Sequence, residues 1–365
     1  MRLIYVANAR FPTQKAHGVQ IASNLCEFSR QDVQVTLVVP DRANNLPTDK
    51  PFAYYDLPEC GRVVRLWTLD WVNFFKPVGF YIQRITFAFS ALLYLLGEPK
   101  DAIIYGRDEL TFALIKLFSP SRRIFYEMHD YPDNSYVFWY SLLKRLDGVI
   151  STNDWKRSQI TKDYGVDPEK VIVARNGIDF AKFDIPDTKQ EYRRELGLPL
   201  DKVLLGYVGQ VQTKGAGKGV EEIREAIEIV KKDNPSVELE IVSSVPHSLI
   251  PKYLKAFDIL LMPFPDTKHY AYYMSPIKMF EYMASGRPII ATDLPSIREV
   301  LNDSNALLIE SSRPEVIARG VKKLVGEPNL ADELGRSARE SARELTLEKR
   351  VGKILEFIHK VQANV

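Results

Sequence analysis

Lys278 and Glu281 stand three residues apart in the stretch SPIKMFEYMASGRPIIATD, which begins at Ser275. On a helix that spacing places an ammonium and a carboxylate on one face. Ser275 is a favoured N-cap, Pro276 suits the first helical position, and Gly286 suits a left-handed stop. Both charged groups then sit near the helix opening, where unpaired amides and the helix dipole attract anions. An anion held there, with a lysine beside it and a carboxylate accepting from hydroxyls, fits a nucleotide's phosphate and ribose. A solvated helix face with an ordinary ion pair explains the local pattern equally well.

Three further stretches carry candidate chemistry. GYVGQVQTKGAGKGVEEI, from Gly206, is not a phosphate loop, because Gly217-Lys218 is followed by Gly219 and no glycine stands five before Gly217. A dinucleotide fingerprint fits it poorly as well. What remains is a flexible glycine-rich loop carrying Lys214 and Lys218 ahead of a helix, able to approach an anion closely. Its alternative is a mobile surface loop. EMHDYP sets His129 and Asp130 at the end of a strand-like run, where α/β sites gather, although a lone histidine there is more often structural. Gly18 opens a helix after the first strand, and its amide could meet a phosphate or sugar oxygen; a routine strand-to-helix turn is the alternative. No HExxH, Gly-x-Ser-x-Gly or cysteine cluster is present, which weighs against metalloprotease, hydrolase and thiol chemistry. No Asp-x-Asp pair stands ready to hold a metal on a diphosphate. Helix ends and lysines are the metal-free counter-charge.

These residues need a scaffold. The 365 residues are too many for one ordinary domain, and 45% hydrophobic with 26% charged residues describes a soluble chain with sizeable cores. A net charge of +2 gives no nucleic-acid footprint. Cys26 and Cys60 supply no disulfide framework and no metal-ligand spacing, so a reducing cytoplasm is the expected compartment. The N-terminus lacks the pattern of a signal peptide. ITFAFSALLYLL, from Ile85, is shorter than the roughly twenty residues of a membrane span and is expected to be a core helix. Ahead of it, Trp67, Trp71, Phe74, Phe75, Phe80 and Tyr81 crowd around Lys76 and Arg84. That 67–85 stretch reads as a membrane-surface or apolar-acceptor patch, or else as domain packing.

Strand-like runs alternate with helices along the whole chain. RLIYVAN, VQVTLVVPD, AIIYGRD, RRIFYEMHD, GVISTN and VIVARNG come first; VLLGYVGQ, VELEIVSS, ILLMPF, PIIATD and ALLIE follow. Their Val, Ile and Leu content without strict alternation predicts parallel sheets covered on both faces. Regularity breaks near 180–200, and the chain ends in an amphipathic helix. Two doubly wound α/β domains follow, with ligands expected beyond the carboxyl ends of the strands.

In this order, the stretches resemble a family-4 (group 1) glycosyltransferase of the GT-B type. SPIKMFEYMASGRPIIATDLPSIREV is similar to that family's donor-binding signature, and GYVGQVQTKGAGKG to its strand–loop–lysine-glycine element. EMHD, VIVARNGID and the terminal TLEKR helix fall in the expected places. The resemblance implies two Rossmann-like domains facing a central cleft: an acceptor-side domain over 1–185, a donor domain over 186–345 and a helix over 346–365 crossing back to the first.

It also implies a retaining hexosyl transfer, without metal or other cofactor, from a UDP- or GDP-linked sugar to a glycan or lipid-linked hydroxyl. Glu281 would hold the ribose. Lys218 and the helix opening at Ser275, Pro276 and Ile277 would neutralise the diphosphate, helped by Lys278. His129 would act beside the donor sugar, and Gly18 would admit the first loop to the phosphates or acceptor. The chain departs from the family at Tyr273, where a first glutamate is usual, and at Gln210, in place of an arginine. It also runs VELEIVSS directly into VPHSLIPKYL, where an extra helix and strand are usual. An epimerase or phosphorylase on the same fold, or a non-catalytic nucleotide-sugar-binding subunit, are the alternative readings. The implied setting is polysaccharide biosynthesis in the cytoplasm, with peripheral attachment to the inner membrane face through 67–85.

Overall fold

Strands rich in branched apolar residues, the inner ones buried at nearly every position, set the architecture. The computed structural model describes residues 1–75, 77–133, 135–213, 216–243 and 245–363. Lys76 and Lys214 lie outside them. The chain divides into two compact units, Met1–Ala174 with Arg350–Val365, and Arg175–Lys349.

The first unit contains β1 (Arg2–Val6), α1 (Ala16–Arg30), β2 (Gln34–Pro40), β3 (Arg62–Leu66), α2 (Val78–Gly97), β4 (Ile103–Gly106), α3 (Glu109–Phe118), β5 (Ile124–Met128), α4 (Tyr136–Arg145), β6 (Gly148–Ser151), α5 (Asp154–Tyr164) and β7 (Val171–Val173). All seven strands are parallel, in the order β3-β2-β1-β4-β5-β6-β7. β1 lies inside the sheet between β2 and β4, with Leu3 opposite both Val35 and Ile103. Its alternate residues feed two cores. Leu3 and Tyr5 pack with Ile21, Leu25, Val351 and Ile354, whereas Ile4 and Val6 pack with Phe87, Ala91, Phe112 and Leu142.

The second unit contains α6 (Phe180–Phe183), α7 (Lys189–Leu196), β8 (Val203–Val208), β9 (Gln212–Thr213), β10 (Ala216–Gly217), α8 (Val220–Lys231), β11 (Val237–Val242), α9 (Ile250–Ala256), β12 (Ile259–Met262), α10 (Ile277–Ser285), β13 (Ile289–Thr292), α11 (Pro295–Arg298), β14 (Leu307–Ile309), α12 (Pro314–Gly326) and α13 (Pro328–Arg343). Its parallel sheet runs β11-β8-β12-β13-β14. α14 (Leu347–Ala363) follows, and from Arg350 onward it belongs to the first unit.

Four expectations are corrected. The division falls at 174/175 rather than 185/186 and at 349/350 rather than 345/346. The cause is local: the Ile178 amide donates to Leu345 O, and the Leu347 amide to Ile178 O, both at 3.0 Å. Cys26 and Cys60 form a disulfide with Cα atoms 4.7 Å apart, because the fold brings α1 beside the loop before β3. α2 extends well beyond the apolar run to 20 residues, with Arg84 its one charge, so it is long and apolar enough to cross a membrane. One face of α2 is buried in the first unit, at Gln83, Phe87, Ala91 and Leu95. Finally, the glycine-rich stretch is not merely a loop: β9 and β10 pair antiparallel within it.

Candidate active site

In the second unit the topology reverses at β8, whose neighbours β11 and β12 follow it in sequence on opposite sides. Such switch points leave a crevice beyond the carboxyl ends of the strands. Gly209 and Gln210 leave β8 there, with Gly209 at φ +123°. That φ is what calls for glycine, since a Cβ there would make only an ordinary contact with Lys278 Cε and Nζ at 3.4 Å. Tyr282 Oη of α10 accepts the Val208 amide at 2.8 Å, fixing α10 against the strand end. At the far end of α10, Gly286 takes φ +75° as expected, and Arg339 Nη1 donates to Ala284 O at 2.7 Å.

α10 opens with Pro276 as its N-cap, one residue later than expected, and no side chain caps it. Ser275 instead offers its carbonyl to Asn176 Nδ2 at 2.5 Å. Ser275, Pro276 and Ile277 are half-buried around an opening whose first amides have no side-chain partner.

Lys278 is half-buried as a residue, but its Nζ is sealed from solvent and makes no hydrogen bond among the described residues. It lies 3.7 Å from the Tyr207 ring centroid and 5.5 Å from that of Phe264. Burial, reinforced by the charge of Lys218, pushes its pKa well below the ordinary lysine range, against the pull of Glu281. Lys218, half-buried between β10 and α8, is shifted the same way by desolvation. Next to it, Gly219 at φ +80° begins α8, and a Cβ there would meet Pro263 O at 2.0 Å. Two under-solvated ammonium groups beside an uncapped helix opening form an arrangement suited to an anion.

Glu281 does not pair with Lys278. Its Oε1 receives Nε2 of His247 at 3.0 Å, and it is buried. His247 comes from a short 3-10 turn, His247–Leu249, directly after β11. The run from VELEIVSS into VPHSL is therefore short, and it delivers a histidine to the carboxylate. Gln210 is exposed and accepts Tyr207 Oη–H through its carbonyl at 3.1 Å. Tyr273 is buried in a π-helical turn, His269–Tyr273, ahead of α10.

Gly18 and His129 are in the first unit. The Gly18 amide donates to Lys15 O at 2.9 Å. A Cβ at Gly18 would lie 2.3 Å from Tyr55 Oη and 2.5 Å from Thr13 Cγ2, so local packing already demands glycine. His129 follows β5 directly, beside a charged cluster that sequence reading missed. Glu127, fully buried, accepts from His129 Nε2 at 2.5 Å, Arg350 Nη2 at 2.9 Å and Arg107 Nη2 at 3.2 Å, and from Tyr105 Oη. Burial alone would raise the Glu127 pKa, but Arg350 and Arg107 hold it well below the ordinary range. The His129 pKa is pushed down to about 3 by burial and by Arg107. The neutral ring must then donate through Nε2 to the carboxylate, which leaves Nδ1 as an acceptor for a hydroxyl.

The structure thus brings Gln210, Lys218, Ser275, Pro276, Ile277, Lys278 and Glu281 together at one end of the second sheet. It adds Tyr207 and His247 to them.

Comparison with known proteins follows the same division. In fold, the chain is similar over its full length to sucrose-phosphate synthase from Thermosynechococcus elongatus (TM-score 0.77, 15% identity, 100% of each chain). It is likewise similar to Anabaena Alr3699/HepE, solved in complex with UDP and glucose (TM-score 0.71, 14% identity, 98% of this chain and 99% of that one). Two parallel sheets with interleaved helices, shared with these neighbours, give the chain the GT-B fold. Residues 243–327, which include Ser275 to Glu281, match the family model of the glycosyl transferases group 1. Among curated relatives, the TuaH putative teichuronic acid biosynthesis glycosyltransferase of Bacillus subtilis is 22% identical over 206 residues, 51% of this chain and 50% of that protein. The D-inositol 3-phosphate glycosyltransferase of Thermomonospora curvata is 25% identical over 247 residues, 58% of this chain and 56% of that protein. The chain spans about half the length of the curated relatives it matches.

Proposed function

We propose that the protein is a retaining glycosyltransferase that moves a hexosyl group from a UDP- or GDP-linked sugar to a hydroxyl of a glycan or lipid-linked saccharide. The observation that carries this reading is the pair Lys218 and Lys278, both desolvated, beside the uncapped opening of α10, with buried Glu281 one turn in. In this reading the diphosphate lies against the helix amides and the two ammonium groups, and Glu281, held by His247, receives the ribose hydroxyls. The acceptor oxygen attacks the anomeric carbon from the face the diphosphate leaves, and the departing phosphate oxygen takes the acceptor proton. Charge building on that oxygen is met by preorganised donors, so the step needs no metal. His129 Nδ1 is assigned a hydroxyl of the donor sugar. HepE, solved with UDP and glucose, supports this donor class. The TuaH relative supports a polymer-building setting.

The test is a thermal-shift panel of UDP, GDP, ADP and their sugars on the intact chain and on Glu281→Ala. One nucleotide should stabilise the wild type, and Glu281→Ala should weaken its affinity by about tenfold, the loss of a charge-assisted hydrogen bond. Stabilisation that Glu281→Ala leaves unchanged removes the ribose assignment. Product anomers and rates in EDTA then decide retention and metal independence.

Lys278 gives a proton signature. Its pKa is depressed in the unliganded fold, so the unfolded state binds more protons over that window, and the second unit gains stability as pH rises toward the ordinary lysine value. A bound diphosphate raises the pKa again. UDP or GDP binding at pH 8.5 is therefore expected to take up protons, seen as a binding heat that changes with the buffer's ionisation heat. Lys278→Met should lose most of that uptake and stabilise the unliganded second unit by about 1–2 kcal/mol. A buffer-independent heat in the wild type would overturn this account of Lys278.

The 67–85 stretch belongs to the same proposal as a peripheral membrane contact. Trp67, Phe74, Phe75 and Tyr81 are all more than half exposed, which is costly for a surface that meets only water. Sedimentation with phosphatidylglycerol vesicles should fall at least severalfold in Phe74→Ser/Phe75→Ser. Equal sedimentation of the two proteins would remove the contact.

A further inference from the structure

A pocket lies wholly within the first unit, at the carboxyl ends of β1, β2 and β3. Its volume is about 170 Å³, room for roughly five water molecules. Arg10 and Phe11 reach it from the loop after β1, Asp41, Arg42 and Asn44 from the loop after β2, and Arg65 from β3 itself. The polar side chains there divide sharply by what they bind.

Most are committed to building the wall. Arg65 Nη2 donates to Phe11 O at 3.0 Å and to Thr48 O at 3.1 Å. Asn44 Nδ2 donates to Pro12 O at 2.7 Å. Arg42 pairs with Asp70 Oδ1 at 3.0 Å. Arg10 differs: its guanidinium makes no hydrogen bond or ion pair among the described residues, and its Nε is sealed from solvent. Three guanidinium groups face one lining carboxylate, Asp41, and Asp70 answers Arg42 from beside the pocket, so one positive charge is left over. Burial, together with repulsion from Arg10, already makes the charge on Arg42 costly, against the pull of Asp70.

An arginine kept for architecture spends its fork of donors on carbonyls, as Arg65 does. One that holds an unmatched charge beside another arginine destabilises the empty protein, and a ligand that supplies the missing charge removes the cost. Arginine forks match the oxygen geometry of phosphates and carboxylates.

We infer that this pocket binds a compact oxyanion, a phosphate or carboxylate group, with Arg10 as its principal ligand and Arg42 beside it. The site does not rest on the transferase reading. Only the further step, that the oxyanion is a substituent of the acceptor, rests on it.

All four tryptophans lie in the first unit, at 67, 71, 139 and 155, so thermal unfolding followed by their emission reports this unit alone. The probes are inorganic phosphate and glucose 6-phosphate, each against sodium chloride of equal ionic strength and, for the sugar, against glucose. Wild type and Lys218→Gln should both be stabilised by the phosphates, which separates this pocket from the lysines of the second unit. Arg10→Gln should unfold at the same or a higher temperature than wild type when empty. Its phosphate affinity should fall at least tenfold, and Arg10→Lys should recover part of it. The inference is overturned if phosphate acts no differently from chloride, if Arg10→Gln keeps the response, or if Lys218→Gln loses it. It is equally overturned if Arg10→Gln lowers the midpoint without ligand, since that marks Arg10 as a structural residue.

Discussion

Lys218→Ala is expected to lower kcat for hexosyl transfer by about 100- to 1,000-fold, the loss seen when one preorganised donor to a developing oxyanion is removed. The expectation rests on what surrounds the ammonium. It is half-buried, desolvation already lowers its pKa, and its side chain makes no ion pair among the described residues. Gln210 occupies the position where the resembled family has an arginine, so that position supplies no cation to replace Lys218. Its interaction should strengthen as charge moves onto the leaving phosphate, so kcat should fall more than nucleotide affinity. Removing a desolvated ammonium beside Lys278 should leave the second unit at least as stable as before. Turnover within threefold of wild type, with the cognate donor and acceptor, would remove Lys218 from the catalytic role.

Arg350→Ala is expected to cost the first unit about 3 kcal/mol, the penalty for stranding a buried charge. Glu127 has no solvent exposure, and Arg350 reaches it at 2.9 Å while also donating to Asn24 Oδ1 at 3.1 Å. Tryptophan emission in urea measures the loss without interference from the second unit. Adding Glu127→Gln to Arg350→Met should recover part of the stability, because both charges then disappear together. The sign with pH follows. The Glu127 pKa is held well below its unfolded value of 4.5, so its contribution is present above that value and is lost as pH falls through the folded one. His129 acts in the same direction: its folded pKa of about 3 against 6.5 unfolded removes stability as pH drops through that interval. The acid limb of Arg350→Ala should therefore move to higher pH. An unchanged urea midpoint for Arg350→Ala would show that Arg107, Tyr105 and His129 satisfy Glu127 alone.

Most of both sheets was legible because strands buried on two faces read as continuous apolar runs, and helices read as amphipathic stretches between them. β3 escaped because RVVRL is a half-exposed edge strand whose arginines interrupt the run. The helix opening, Lys278 and Lys218 were legible as local chemistry with fixed spacing. His247 was not, because its pairing with Glu281 joins residues 34 apart in sequence. Arg350 was hidden for the same reason, although one signal was present: IFYEM puts an acid in a strand whose five residues are all buried. A buried acid requires a cationic partner, but the sequence does not say which of 49 lysines and arginines supplies it. The disulfide and the packing need for Gly18 likewise depend on neighbours that only the folded chain assembles.

The return of α14 to the first unit also fixes the order in which the protein can mature on the ribosome. Val351, Ile354 and Ile358 of that helix fill the core beneath β1, and Arg350 is the guanidinium deepest in its charged cluster. A nascent chain that has emerged only as far as Ala174 exposes this apolar face with Glu127 still lacking Arg350. The second unit is continuous in sequence and can close first, reversing the usual amino-to-carboxyl succession of domains. Until α14 has emerged, the amino-terminal half keeps that apolar face uncovered.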